Sequence, residues 1–156
     1  MDTLQDKIFF LGTTFPERLG QIAPETAALF GKMTPQQMVE HMAEYIRLGY
    51  GQPVISAQFY TDESLERMQA FLKSEKGFKP NTPNPLMAEN PAQTIFADYT
   101  TAVADLEKAI DSFFQTFTTT PDLIVHNPFF GPLNYEMTLQ LLCKHAQHHL
   151  NQFAAG

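Results

Sequence analysis

Apolar residues recur at helical spacing in four stretches of the chain and almost nowhere at the alternation of a strand. In the first stretch, from Thr34 to about residue 50, Met38, His41, Met42, Tyr45 and Leu48 lie on one side. Thr34 suits an N-cap and Pro35 the first helical position, where a missing N–H costs nothing. Gly49 and Gly51 supply a stop. A second amphipathic segment begins near Asp62, with Leu65, Met68, Phe71 and Leu72 facing one way and Glu66, Arg67 and Lys73 the other, and ends near Gly77. Residues 78–91 hold four prolines with polar spacers, which excludes a helix and predicts an extended crossover. Asn90-Pro91 repeats the pattern of a cap followed by a proline. From there Ile95, Tyr99, Ala102, Leu106, Ile110, Phe113 and Phe117 trace one stripe, predicting the longest helix. Residues 118–133 read as a loop on their prolines and Gly131, though apolar enough to pack down. The last helix starts near Asn134. Ahead of residue 34 the pattern is weaker, with one helix around residues 16–22 and another near 3–11. Strand signals are few and no repeat at solenoid periods is present. The expected fold is all-α, a bundle with one long crossover, in a single domain over residues 1–156.

Composition bounds the function classes. A chain of 156 residues buries roughly 68–70% of the surface its unfolded form exposes, and 44% hydrophobic content with 14 Phe and 7 Met supports a sizeable core. Seventeen acidic against ten basic residues give a net charge of −7 with no Lys/Arg cluster, which disfavours nucleic acid as a partner. The N-terminal run MDTLQDKIFFLG carries acids where a signal peptide carries lysines, and its apolar part is only Ile8 to Leu11. With no apolar stretch near the ~20 residues of a membrane span, the expectation is a soluble, cytoplasmic protein that does not engage a membrane. Cys143 is the single cysteine, so an internal disulfide is impossible.

The chemistry concentrates in the run KHAQHHLNQF, where His145, His148 and His149 supply three of the five histidines. On a helix, positions four apart share a face with Cβ atoms about 5–6 Å apart, so His145 and His149 can reach one metal ion. His148 is the rival to His149, being only about 60° off the His145 stripe, and spacing alone does not choose between them. Thr138, Leu142 and Gln152 share that stripe, whereas Cys143 sits about 160° around from His145 and is a poor ligand candidate. A third ligand has to come from another element, and His41 on the helix opened by Thr34-Pro35 is the best candidate.

His145-Ala-Gln-His148-His149-Leu-Asn-Gln152 resembles the HxxHHxxQ motif of the last helix in the DinB/YfiT-like superfamily, and the upstream GKMTPQQMVEH is similar too. Within it the chain is similar to an uncharacterised bacterial family ending in HPxFGPL…HxxHHxxQF, here His126-Asn127-Pro128-Phe129-Phe130-Gly131-Pro132-Leu133 and then the cluster. Asn127 is an insertion relative to that pattern, and Met137 stands where similar sequences often carry tryptophan. The resemblance covers nearly the whole chain. It implies a DinB-like four-helix bundle whose metal is held by His41, His145 and His149, with His148 flanking the site.

Three imidazoles would leave a coordination position open, the pattern of a catalytic rather than a structural zinc site, and nickel suits imidazole as well. The resemblance implies a metal-dependent hydrolase or thiol S-transferase acting on a small molecule, against the alternative of a metal-binding or protein-interaction module without catalysis. Glu44 and Tyr45, three and four residues after His41, are the nearest candidates for proton transfer, and His126 is a further one in the loop that must approach the last helix. No Ser-His-Asp order, phosphate loop or dinucleotide fingerprint is present. The 14 phenylalanines exceed what four short core stripes require, which predicts a homodimer. Light scattering at micromolar concentration is expected to give twice the mass of the 17.6 kDa chain. A monomer mass would remove the expectation.

Overall fold

The computed structural model describes residues 3–80 and 90–156. Among these residues the chain is mostly helical, with one small two-stranded sheet. Its first part is a single helical run in place of the two separate helices expected: α1 (Leu4–Phe9), a π-turn (Phe10–Thr14) and α2 (Phe15–Gln21). Thr3 caps it in a reciprocal box, its hydroxyl accepting from Asp6 N–H and the Asp6 carboxylate from Thr3 N–H. Pro16 explains the π-turn, because a proline inside an α-helix removes a hydrogen bond and presses on the carbonyl four residues back. The wider turn, with Phe15 N–H donating to Phe10 O, relieves that contact and keeps Phe10, Leu11, Phe15 and Leu19 buried on one side.

Helix α3 (Pro35–Leu48) begins as its sequence predicts, with Thr34 and Gln37 forming the capping box, and stops at Gly49 ahead of Gly51, whose φ is +85°. Helix α4 (Asp62–Lys73) is capped by Thr61 and ends before the expected Gly77, where the Ser74 hydroxyl donates to Phe71 O. Residues 81–89 of the proline-rich crossover lie outside the described residues.

No helix starts at Asn90-Pro91. Helix α5 (Tyr99–Thr119) is capped by Asp98, which accepts from Thr101 N–H at 2.7 Å, and the residues before it run extended along α3. Long-range partners take the backbone groups that a helix would have used. The Glu40 carboxylate accepts from Ile95 N–H at 2.6 Å, Gln36 donates to Phe96 O at 2.8 Å, and Gln37 donates to Ala92 O at 3.1 Å. Ile95, expected to lead the apolar stripe, is 76% exposed, while Tyr99 through Phe117 on that stripe are buried.

The expected loop 118–133 contains a hairpin, β1 (Val125–Asn127) with β2 (Gly131–Leu133), paired antiparallel with Val125 opposite Leu133, so the all-α expectation needs this amendment. Asn127 Oδ1 closes its turn by accepting from the N–H groups of Phe129 and Phe130 at 2.8 and 3.0 Å. Helix α6 (Tyr135–Gln152) follows at once, capped by Asn134.

The α1–α2 run, α3, α5 and α6 enclose one core that includes Leu11, Phe15, Met38, Met42, Leu106, Phe113, Leu139 and Leu142. The Arg47–Asp105 ion pair at 2.6 Å ties α3 to α5. A second cluster, Leu72, Phe130, Leu133 and Leu141, fastens α4 and the hairpin to α6. Apart from Phe30 and the exposed Phe9 and Phe59, every phenylalanine belongs to one of the two clusters or packs against it. No helix among the described residues is long and apolar enough to cross a membrane.

Gly131 is demanded twice over: its φ is +74°, and a Cβ there would stand 2.8 Å from Leu65 Cδ1. Gly131→Ala is expected to lower stability in urea unfolding by about 1–3 kcal/mol. A change within experimental error would show that the hairpin does not hold residue 131 in the left-handed region.

Candidate metal centre

Helix α6 brings His145 and His149 to its inward face one turn apart, and α3 presents His41 across from them. His41 Nε2 lies 3.3 Å from His145 Nε2, which lies 3.0 Å from His149 Nε2. The potential ligand atoms of the three residues are all within 4.8 Å of one another, so the three histidines could hold a metal ion. An ion that keeps imidazole nitrogens at about 2.0–2.1 Å in tetrahedral directions separates them by about 3.3–3.4 Å, close to the two spacings found. The donor set fits such an ion.

The surroundings keep these rings neutral. Burial lowers the His41 pKa to about 4, with His148 adding repulsion, and lowers that of His149 to about 3, with His41 contributing and the Gln152 hydrogen bond opposing. Burial pushes His145 well below 6.5, and repulsion from His149, His41 and His148 adds to it. Neutral imidazole is the form that ligates, so the cluster is ready for an ion at neutral pH without first losing protons. His145 Nδ1 is buried and has no hydrogen-bond partner among the described residues.

Aromatic rings wall the cluster. Tyr45 stands edge-on to His145 with ring centroids 4.2 Å apart and 5.8 Å from His41, while Phe78 packs 5.6 Å from His145. Burial raises the Tyr45 pKa against an opposing hydrogen bond from Asn127. Asn127 thus closes the hairpin with its oxygen and reaches Tyr45 with its side chain. Gln152 Oε1 accepts from His149 Nδ1 at 2.8 Å.

The other residues singled out from the sequence fall elsewhere. His148 is half-buried between Phe30 and Phe78, with ring centroids 5.2 and 5.9 Å away, and is outside the three-nitrogen cluster. Glu44 is exposed on α3. His126 lies in β1 with Nε2 3.1 Å from Ala57 O, tethering the extended segment after α3 to the hairpin. Cys143 points toward α1, 3.5 Å from Lys7 O, and burial raises its thiol to about 12. Tyr45 and His126 share a narrow cavity of about 20 Å³ walled by Leu48, Ile55 and Leu142, with room for a water or two but not for a substrate-sized molecule. Asn127 and Phe78 carried no sequence signal toward the site, and Gln152 carried one through its place on the histidine stripe and in the motif that closes the chain.

Comparison of the chain with protein-family models, with curated proteins and with solved structures finds no match.

The pKa directions set a stability window for the metal-free protein. Above pH 6.5 these histidines are neutral both folded and unfolded. As pH falls below it the unfolded chain takes up protons that the folded chain refuses, so stability drops toward pH 4, by up to about 1.4 kcal/mol per pH unit for each histidine. Urea unfolding in chelator between pH 7.5 and about 4.5 should show this decline, and His41→Gln should make it shallower. A slope identical in the two proteins would remove His41 from the buried neutral set.

Proposed function

We propose that the chain is a DinB-like four-helix-bundle protein whose His41, His145 and His149 hold one divalent ion, zinc or nickel, and that it is a metal-dependent enzyme of the hydrolase or thiol S-transferase type acting on a small molecule. The observation that carries this proposal is the convergence of three imidazole nitrogens at 3.0 and 3.3 Å on rings whose burial favours the neutral form. Two facing helices supplying the donors is also the way bundles build metal sites in their cores. Three protein ligands leave a position for a further one. An ion held there would supply Lewis acidity, making a water or a substrate thiol more acidic near neutral pH.

The chain's own groups would do the remaining work. Tyr45, held by Asn127 and kept protonated by burial, packs its ring against His41 and His145 and suits donation of a proton or hydrogen bond to a ligand. The rings of Tyr45 and Phe78 keep bulk water off His145, which strengthens any charge interaction inside. Glu44, exposed, and His126, engaged with Ala57, have no part in this scheme.

A second reading, a metal-binding or protein-interaction module without catalysis, is favoured by one observation: Phe78 covers His145, and the cavity beside Tyr45 measures only about 20 Å³.

Elemental analysis of protein purified without added metal is expected to give one ion per chain, and His41→Ala and His149→Ala should each lose it. Full retention in either variant would exclude that residue as an essential ligand. Chelator treatment should then abolish turnover on a panel of esters, amides and thiol acceptors while circular dichroism keeps its helical signal, because the apolar core does not depend on the ion. Collapse of the helical signal with no metal-dependent turnover would assign the ion a structural role and favour the module.

A further inference from the structure

We infer that Gln152 is the positioning residue of this centre, and that the loop Leu29–Gly31 belongs to the site through it; the inference rests on the metal-site proposal. Gln152 is 4% exposed and sits three residues after His149 on the inward face of α6. Its amide bridges two groups of fixed character. Phe30 offers a backbone carbonyl, which can only accept, so the Gln152 amide nitrogen must face it, at 3.0 Å. The amide oxygen is then turned to His149 Nδ1, at 2.8 Å, and an amide oxygen can only accept. Nδ1 therefore carries the proton. Nε2 is left with a bare lone pair, and Nε2 is the atom that lies 3.0 Å from His145 Nε2 inside the cluster. A backbone carbonyl on one loop thus selects the tautomer that a metal ion requires.

The loop is held to α6 without the amide, because Leu29 N–H donates to the Gln152 backbone carbonyl at 2.8 Å. The side chain is therefore not needed as the loop's anchor, which leaves His149 as the group on which it acts. Close approach is made possible by Gly31, whose φ is +74° and where a Cβ would stand 3.0 Å from Gln152 Nε2. Partners of this kind orient a ligating imidazole and raise its basicity, and their loss costs roughly 10- to 100-fold in metal affinity. His145, whose Nδ1 has no partner among the described residues, lacks such a device.

The test compares full-length wild type, Gln152→Leu and Gln152→Glu by nitrogen-15 NMR of the imidazoles in metal-free protein and by zinc affinity against a competing chelator. Wild-type His149 should be protonated at Nδ1. Gln152→Leu should populate the Nε2-protonated tautomer and lose roughly 10- to 100-fold in zinc affinity with unchanged helical signal. Gln152→Glu, as the neutral acid, keeps an acceptor for the Nδ1 proton and a hydroxyl donor for Phe30 O, and should retain that tautomer and most of the affinity, a rescue that a purely packing role would not produce. Three results would each overturn the inference: wild-type His149 protonated at Nε2, Gln152→Leu with wild-type affinity, or Gln152→Glu as weak as Gln152→Leu. Should Gln152→Leu not fold, the wild-type tautomer and the Gln152→Glu affinity still decide. Failure of wild type to take up zinc at all would instead remove the metal proposal itself, and is recognisable because it precedes any variant.

Discussion

An apolar interior accepts imidazole and carboxamide groups only when their polar atoms find partners, and the inward faces of α3 and α6 bring four such side chains together. Leaving one buried donor or acceptor unpaired costs about 1–3 kcal/mol. His41, His145, His149 and Gln152 therefore have to be arranged against one another and against backbone. That requirement fixes the amide orientation of Gln152, the tautomer of His149, and the approach of the Leu29–Gly31 loop that supplies the last carbonyl. It leaves one remainder, His145 Nδ1, at the most crowded point of the cluster. Burial also settles charge: three imidazoles this close are held neutral first by desolvation and then by their mutual repulsion. The same constraint that threatens the fold thus leaves the rings in the protonation state a metal ion needs.

Other buried polar groups solve the problem by recruiting chain rather than one another. Glu40, on α3 one residue before His41, is 9% exposed and takes up the N–H groups of Ile95 and Phe96, so the chain ahead of α5 lies along α3 in an extended path. Asn127 spends its oxygen on the hairpin turn and its remaining capacity on Tyr45, which joins the sheet to the wall of the histidine cluster. The small sheet is in this sense part of the site's support, though none of its residues belongs to the histidine cluster.

How much of this is legible along the chain follows from the range of the interactions. Local signals read well. Thr34-Pro35, the boundary at Asp62 and Asn134 are caps whose partners lie within three residues, and the structure has helices starting at each of them. The His145–His149 pair is equally local, a matter of helical pitch. Asn90-Pro91 misleads for the opposite reason: as a local pattern it resembles Thr34-Pro35, but the backbone that follows bonds to Gln36, Gln37 and Glu40, more than fifty residues away. The hairpin escapes detection because strands of three residues are too short to show alternation. The π-turn escapes because a one-residue slip in periodicity looks like the end of one helix and the start of another. His41 meets His145 across 104 residues of sequence, a pairing that spacing cannot reveal; His41 is a candidate through its place on the apolar face of a second helix, and the resemblance implies the same residue.

Helix α6 also determines how the cluster is covered. Lys144, the neighbour of His145 in sequence, lies about 100° around the helix. There its ammonium is 9% exposed, donates to the carbonyls of Ser74 and Lys76, and rests 4.9 Å above the Phe71 ring. Those carbonyls belong to the chain leaving α4, which four residues after Ser74 places Phe78 against His145 and His148. Consecutive residues of one helix thus set the candidate ligand and the chain that shields it. Burial lowers the Lys144 pKa against the opposing pull of Glu75, so the clamp holds its charge at some cost. Cover and cluster are anchored separately: the first by a desolvated ammonium on carbonyls, the second by the Gln152 amide on Phe30. The hydrogen bonds that orient His149 are thus distinct from those that hold residues 74–78 over the cluster.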